Sequence, residues 1–255
     1  MRDLSVDERR TEAASDRRLA ARIVAQSALS DRTRAAMCRL YLSYYEATSP
    51  VRFEQDLATK DEVLLLHDAR HVLRGFSTLK RYVCDGEAGA CRVLFSGDTV
   101  VQHDFWGDQT LAFNWIRRAG AIKAEYPHEP LFWLLIVKGH RTFRYLQAFS
   151  REYFPHWQRS TPPAAQAVMD RFGQRLFGEA YDPANGIIRF AESHGQLRPE
   201  WAEPTPEAAG RPEVRFFLER NPGYRRGDEL LCLTELSPEN LRPLARRLFL
   251  AGMRE

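Results

Sequence analysis

The chain has 255 residues, 44% hydrophobic and 28% charged, which suits one generous domain or two small ones and excludes disorder, a collagen-like repeat and a disulfide-stapled miniprotein. Its longest apolar run, Leu131 to Val137, is far short of the roughly 20 residues that cross hydrocarbon, so no membrane span is expected. A net charge of +3, from 37 basic residues interspersed with 34 acidic ones, gives no reason to expect nucleic acid as a partner.

The basic component is lopsided: lysine stands only at Lys60, Lys80, Lys123 and Lys138, and every other basic residue is an arginine, whose planar fork suits carboxylates and phosphates. The start of the chain carries mixed charge, as in Asp7-Glu8-Arg9-Arg10, without an apolar signal segment, so the expected compartment is the cytoplasm. Cys38, Cys84, Cys91 and Cys232 form no Cys-x-x-Cys pair, which fits reduced thiols there, even though Cys84 and Cys91 flank one predicted turn.

In chain order, Leu19, Ala20 and Ile23 recur at helical spacing and predict a charged helical arm over residues 1–28. Asp31 is the expected cap of a helix whose stripe is Met37, Leu40, Tyr41, Tyr44 and Tyr45, and Ser49-Pro50 opens a second helix reaching about Lys60. Three strands follow, Val63 to His67, His71 to Val83 and Cys91 to Val101, joined by polar turns into an antiparallel meander. Gly107 to Arg118 is predicted helical with Gly120 as its stop, Leu131 to Val137 is a strand buried on both faces, and 141 to 150 is again helix. Strand, helix, strand implies a right-handed crossover and a parallel pair. Past Thr161-Pro162-Pro163 come a helix, Ala165 to Phe177, and long loops with short strands at Gly186 to Phe190 and Val214 to Leu218. Glu229 to Leu236 is a strand, and Ser237-Pro238 opens the last helix.

This order across roughly residues 30–150 resembles the GCN5-related N-acetyltransferase (GNAT) superfamily, the meander Val63 to Val101 and the crossover helix carrying the resemblance. The implied fold is α/β: a mixed, mostly antiparallel sheet with helices on both faces. The N-terminal helical arm (1–28) precedes a GNAT-like core (29–160), and a C-terminal extension (161–255) packs on that core. In the family the fourth strand and the crossover strand splay apart to admit a pantetheine arm, and the loop before the crossover helix cradles a pyrophosphate on free backbone N–H groups.

The resemblance implies cofactor-binding roles for Gly97, Thr99, Val100, Trp106, Gly107, Gln109 and Lys138, with Gly97 marking a strand bulge. In the loop Asp104-Phe105-Trp106-Gly107-Asp108-Gln109 only Gly107 matches the family pattern, and Asp104 and Asp108 bring negative charge to a phosphate site. Acyl transfer to an amine needs a base, donors for the oxyanion and an acid for the leaving thiolate. Asp98 is the first candidate base and His103 the second; amides around Gly97 serve the oxyanion, and Tyr145 is the acid.

The expected activity is therefore N-acyl transfer from an acyl-CoA or acyl-carrier-protein thioester to an amine of a small molecule or peptide. Arg117, Arg118, Arg141, Arg144 and Arg151 offer a face for an acidic carrier protein. The aromatic group Phe132, Trp133, Phe143, Tyr145, Phe149, Tyr153, Phe154 and Trp157 is mostly core, with some members available to line a tunnel for a longer acyl chain. The alternatives are a GNAT-shaped binding protein without catalysis, or a thioester hydrolase or decarboxylase on the same fold. His67, His71, Cys84 and Cys91 lack zinc-knuckle spacing, so no metal is expected, and the hydrolase elbow, the P-loop and the dinucleotide fingerprint are all missing.

Overall fold

The computed structural model describes residues 18–86 and 89–255. Strands β1 (Ala20–Ala25), β3 (Glu62–His67), β4 (Leu73–Gly86), β5 (Gly89–Val101), β6 (Leu131–Val137), β7 (Tyr181–Asp182), β8 (Ile187–Ile188) and β10 (Glu229–Glu235) form one sheet in the order β1-β3-β4-β5-β6-β10-β8-β7. Every neighbouring pair is antiparallel except β5 with β6, which is parallel. A two-stranded ribbon joins β2 (Tyr45–Glu46) to β9 (Gln196–Leu197).

Strand alternation decides what covers each face. On one face Leu64, Leu66, Leu94, Trp133 and Leu135 meet α3 (Thr110–Glu125), α4 (His140–Phe149) and α7 (Pro243–Gly252), with Phe217 of α6 (Pro212–Arg220) in the same core. On the other, Val63, Leu65 and Phe76 meet α1 (Asp31–Tyr44) and α2 (Pro50–Ala58), while Val93, Phe95 and Leu134 meet α5 (Pro163–Phe177). This is the mixed, mostly antiparallel sheet with helices on both faces that the GNAT resemblance implies.

Several local expectations are corrected. Residues 1–17 of the expected arm lie outside the described residues, and Ala20–Ala25 is an edge strand rather than helix. Its Ile23 and Val24, stiff at the β-carbon, pair with Leu64 and Val63 and give β3 the partner its edge needs. Ser30, not Asp31, caps α1 by accepting from Thr33 N–H at 3.2 Å.

Gly120 does not stop α3, which runs on to Glu125. It is a crossing point: a Cβ there would fall 2.0 Å from the Phe249 carbonyl oxygen, and one on Gly252 would fall 1.9 Å from that of Arg117. Paired glycines thus let α3 and α7 touch backbone to backbone. Val214–Leu218 is part of α6, where Pro212 fits the first turn and Val214 and Phe217 bury one helical face. The last helix starts at Pro243, after turns, rather than at Ser237.

The extension does more than cover the core, since β10, β8 and β7 continue the same sheet beyond β6. Cys84 and Cys91 stand directly opposite in the β4–β5 hairpin, 5.0 Å apart at Cα, and are joined in a disulfide, against the expectation of reduced thiols. Cys38 and Cys232 are free and buried. Among the described residues no helix is long and apolar enough to cross a membrane.

Candidate active site

The site begins where β5 loses a neighbour. Parallel pairing runs from Arg92–Leu131 to Ser96–Leu135 and ends there. On the other edge Leu79 pairs with Ser96 and Ser77 with Thr99, so Gly97 and Asp98 together oppose Thr78 in a bulge. The bulge demands glycine: a Cβ on residue 97 would lie 2.6 Å from Thr78 Oγ1 and 2.8 Å from Lys60 Cε. Beyond it β5 continues on β4 alone, while β6 ends and Lys138-Gly139 leads into α4. The resulting gap opens into a cavity of about 720 Å³, within the size range of small-molecule sites.

Asp98 stands on the cavity wall with no side chain among the described residues donating to it. Burial, with the Asp56 charge, pushes its carboxyl up to about 7, against the pull of Lys138 and Lys60. Lys60 is 5% exposed and spends two of its three N–H donors on Asp56 Oδ1 at 2.7 Å and Thr59 Oγ1 at 3.2 Å. Its ammonium lies 5.5 Å from the centre of the Phe95 ring. Lys138 Nζ is 3.5 Å from Glu229 and donates to the His194 carbonyl at 3.2 Å. Burial raises Glu229 although Lys138 opposes it, and burial together with the Asp98 charge lifts the phenols of Tyr41 and Tyr45 well above their ordinary range. Those two rings are stacked at 4.5 Å and 11°.

At the outer end the loop before α3 is folded on itself. Gly107 takes φ +97°, a left-handed conformation that glycine supplies without strain. Asp108 Oδ1 accepts from Thr110 N–H at 2.7 Å, placing a carboxylate of this chain where a free N-terminal amide would meet an anion. Trp106 donates from Nε1 to the Val101 carbonyl at 2.8 Å, and the Arg141 guanidinium lies 4.5 Å from the Trp106 ring. Tyr145 of α4 reaches the cavity, its phenol raised by burial.

The structure thus brings Gly97, Asp98, Thr99, Val100, Trp106, Gly107, Lys138 and Tyr145 to one cavity. It leaves out two expected members. Gln109 is exposed, and the His103 side chain, 58% exposed, meets the Trp106 ring edge-on and the Trp201 ring at a tilt outside the cavity wall, because the short helical turn His103–Phe105 carries the chain away from β5.

The arginine face also divides. Arg117 pairs with Glu255, and Arg118 holds Glu62 through Nε at 2.7 Å, whereas Arg141 and Arg144 line the cavity. Of the aromatic group expected at a tunnel, Trp133, Phe143, Phe149 and Tyr153 are buried core and only Tyr145 meets the cavity. The sequence reading missed Lys60, Asp56, Glu229, Tyr41 and Tyr45. Composition held a signal for the first: in a chain this poor in lysine, two of the four lysines line one cavity.

The chain matches no family model and no curated protein. Solved structures with which it shares partial similarity include an Enterococcus faecalis protein described as a probable N-acyltransferase, at 12% identity and TM-score 0.38, covering 52% of this chain and 33% of that one. They also include an Escherichia coli GNAT family N-acetyltransferase in complex with CoA (13%, TM-score 0.36, 52% and 69%). A third is FeeM, an N-acyl amino acid synthase from uncultured soil microbes (16%, TM-score 0.36, 52% and 79%). The region of likeness spans about a third of the Enterococcus protein.

Proposed function

We propose that the protein is an N-acyltransferase that takes an acyl group from a pantetheine thioester and places it on an amine. The observation that carries this reading is the parting of β5 from β6 at Gly97, with a carboxylate beside the opening that no side chain among the described residues donates to and that is poised near neutral pH. Past the bulge, one edge of β5 has no strand partner among the described residues, and over Thr99 to Val101 it presents backbone groups along which an extended, amide-bearing arm can lie. Arg141 and Arg144, at the outer end, suit the phosphate of that arm. Asp108 already occupies an amide of α3, which favours an arm bearing one phosphate over a pyrophosphate.

In the reaction the amine nitrogen attacks the thioester carbonyl carbon, so a C–N bond forms as the C–S bond breaks. Asp98 takes the proton the amine must lose, and the remaining N–H of Lys60, held beside the bulge, faces the developing oxyanion. Tyr145 gives its proton to the departing sulfur and regains one from solvent.

The test is thiol release from acetyl-CoA, octanoyl-CoA and acyl carrier protein supplied with a mixed pool of primary amines. Release that requires amine, and rises with pH to a plateau above about 7 as Asp98 deprotonates, is the expected result. Release without amine would move the activity to hydrolysis, and binding without release to a silent binder. Comparison of the CoA and carrier donors identifies what bears the arm.

A further inference from the structure

One part of the cavity wall belongs to neither the reacting centre nor the arm. Phe95, two residues before the bulge, lies 6.3 Å from Phe177 between ring centres, and Phe177 lies 6.3 Å from Phe190. Ile136 of β6, Leu176 of α5 and Tyr82 of β4 complete a contiguous apolar surface open to the cavity. Three of the six, Leu176, Phe177 and Phe190, come from the extension beyond residue 160. The adjoining wall, from α1, α2 and the residues after it, carries the charged groups Arg52, Asp56 and Lys60 beside Tyr41 and Phe53, and the two walls meet where the Lys60 ammonium lies 5.5 Å from the centre of the Phe95 ring.

The direction of β5 says which substrate group each wall meets. From Val101 back to Gly97 the unpartnered edge spans about 13 Å at roughly 3.3 Å per residue, and an arm laid on it delivers its thioester to the bulge. Whatever the thioester carries beyond its carbonyl continues past Gly97 toward Phe95 and the apolar surface. The amine enters from the polar side.

Resting on the acyl-transfer reading, we infer that the Phe95–Phe177–Phe190 surface holds the donor's acyl chain, and that the protein selects aliphatic acyl groups longer than acetyl. Phe95 also packs in the core beneath α5, but Tyr82, Ile136, Leu176, Phe177 and Phe190 are only partly buried, and a site for acetyl alone would leave their remaining apolar area facing open cavity, where it gains nothing.

The experiment measures dissociation constants by calorimetry for the acetyl, butanoyl, octanoyl and dodecanoyl thioesters of 4′-phosphopantetheine, which requires no knowledge of the acceptor. Affinity should rise about fourfold per added methylene while the chain still meets the surface, so octanoyl should bind at least about 100-fold tighter than acetyl. Leu176→Trp fills the surface and should collapse the octanoyl-to-acetyl ratio toward one. Phe177→Ala enlarges it and should shift the preference to the longer dodecanoyl chain, so that the two variants move selectivity in opposite directions. Equal affinity for all four thioesters, or a ratio that neither variant changes, overturns the chain-length inference and leaves acyl transfer standing. Failure of every thioester to bind overturns both.

Discussion

Two aspartates, one buried in the turn between β3 and β4 and one half-buried on the cavity wall at the β5 bulge, meet opposite fates. Asp68 accepts from the N–H groups of Arg70 and Val72, both at 2.9 Å, and from Arg74 Nε at 2.7 Å. Burial alone would raise its carboxyl, but those three donors outweigh it and hold the group below its ordinary range. Asp98 has no such donors among the described residues, and burial pushes it up to about 7. A buried carboxylate surrounded by donors fixes a loop, whereas one left without them stores proton affinity for a reaction.

The contrast breaks most visibly at Asp98. Asp98→Asn should lower amine-dependent thiol release by about 1,000-fold, the middle of the range for a lost general base, and yet stabilise the fold. The raised folded value means that wild-type stability is lost as pH climbs from about 4, the unfolded value, through about 7. The variant should therefore unfold with wild-type stability at pH 4 and gain on the order of 2–4 kcal/mol at pH 8, at about 1.4 kcal/mol per unit of difference. Urea unfolding at the two pH values measures it; a variant less stable than wild type at pH 8 would show that Asp98 is a structural group like Asp68.

Asp68→Ala should do the reverse. Removing the carboxylate strands two amides and leaves Arg74 with Gln102 alone as its hydrogen-bonding side chain, a loss of about 3 kcal/mol. Its lowered value gives stability that is present above about pH 4 and lost as pH falls through the folded value, so the gap between wild type and variant should close on acidification. Once corrected for the folded fraction, thiol release should be unchanged.

How far this contrast was readable from the sequence follows from the range of the interactions. The meander and β6 were legible because Val63 to His67, Cys91 to Val101 and Leu131 to Val137 state their strand character within a few residues. Gly97 inside a strand likewise announced the bulge that sets Asp98. Ala20–Ala25 was not legible, since an Ala-Arg-rich stretch becomes a strand only because β3 offers an edge. Nor was the charge set at the site: Lys60 meets Gly97 and Lys138 meets Glu229 across long stretches of chain, and no local pattern encodes either meeting. The Cys84–Cys91 hairpin pair was visible as a facing pair, and the inferred compartment decided its bonding wrongly.

Gly97→Ala sharpens the contrast from the other side, by disturbing the cation near Asp98 rather than the carboxylate. The new methyl would sit 2.8 Å from Lys60 Cε and 2.6 Å from Thr78 Oγ1, so the lysine must yield. Loss of a donor to the oxyanion should cost about 100-fold in thiol release, at the low end for such donors. Because Lys60 pulls the Asp98 value down, its withdrawal should also move the rising limb of the pH–rate profile upward. A reduced rate with an unmoved limb would separate Lys60 from Asp98.

Tyr145→Phe carries the smallest effect, and the reason is chemical. A thiol with an ordinary pKa near 8.5 is already a competent leaving group as thiolate, so losing its proton donor should slow release only about tenfold. The deficit should depend on the leaving sulfur. With an aryl thioester, whose thiolate is far more stable, the variant should match wild type, because no proton is then needed for the C–S bond to break. A deficit equal for alkyl and aryl donors would mean that the phenol only shapes the cavity wall, leaving Asp98 as the one group at the opening that moves a proton in the reaction.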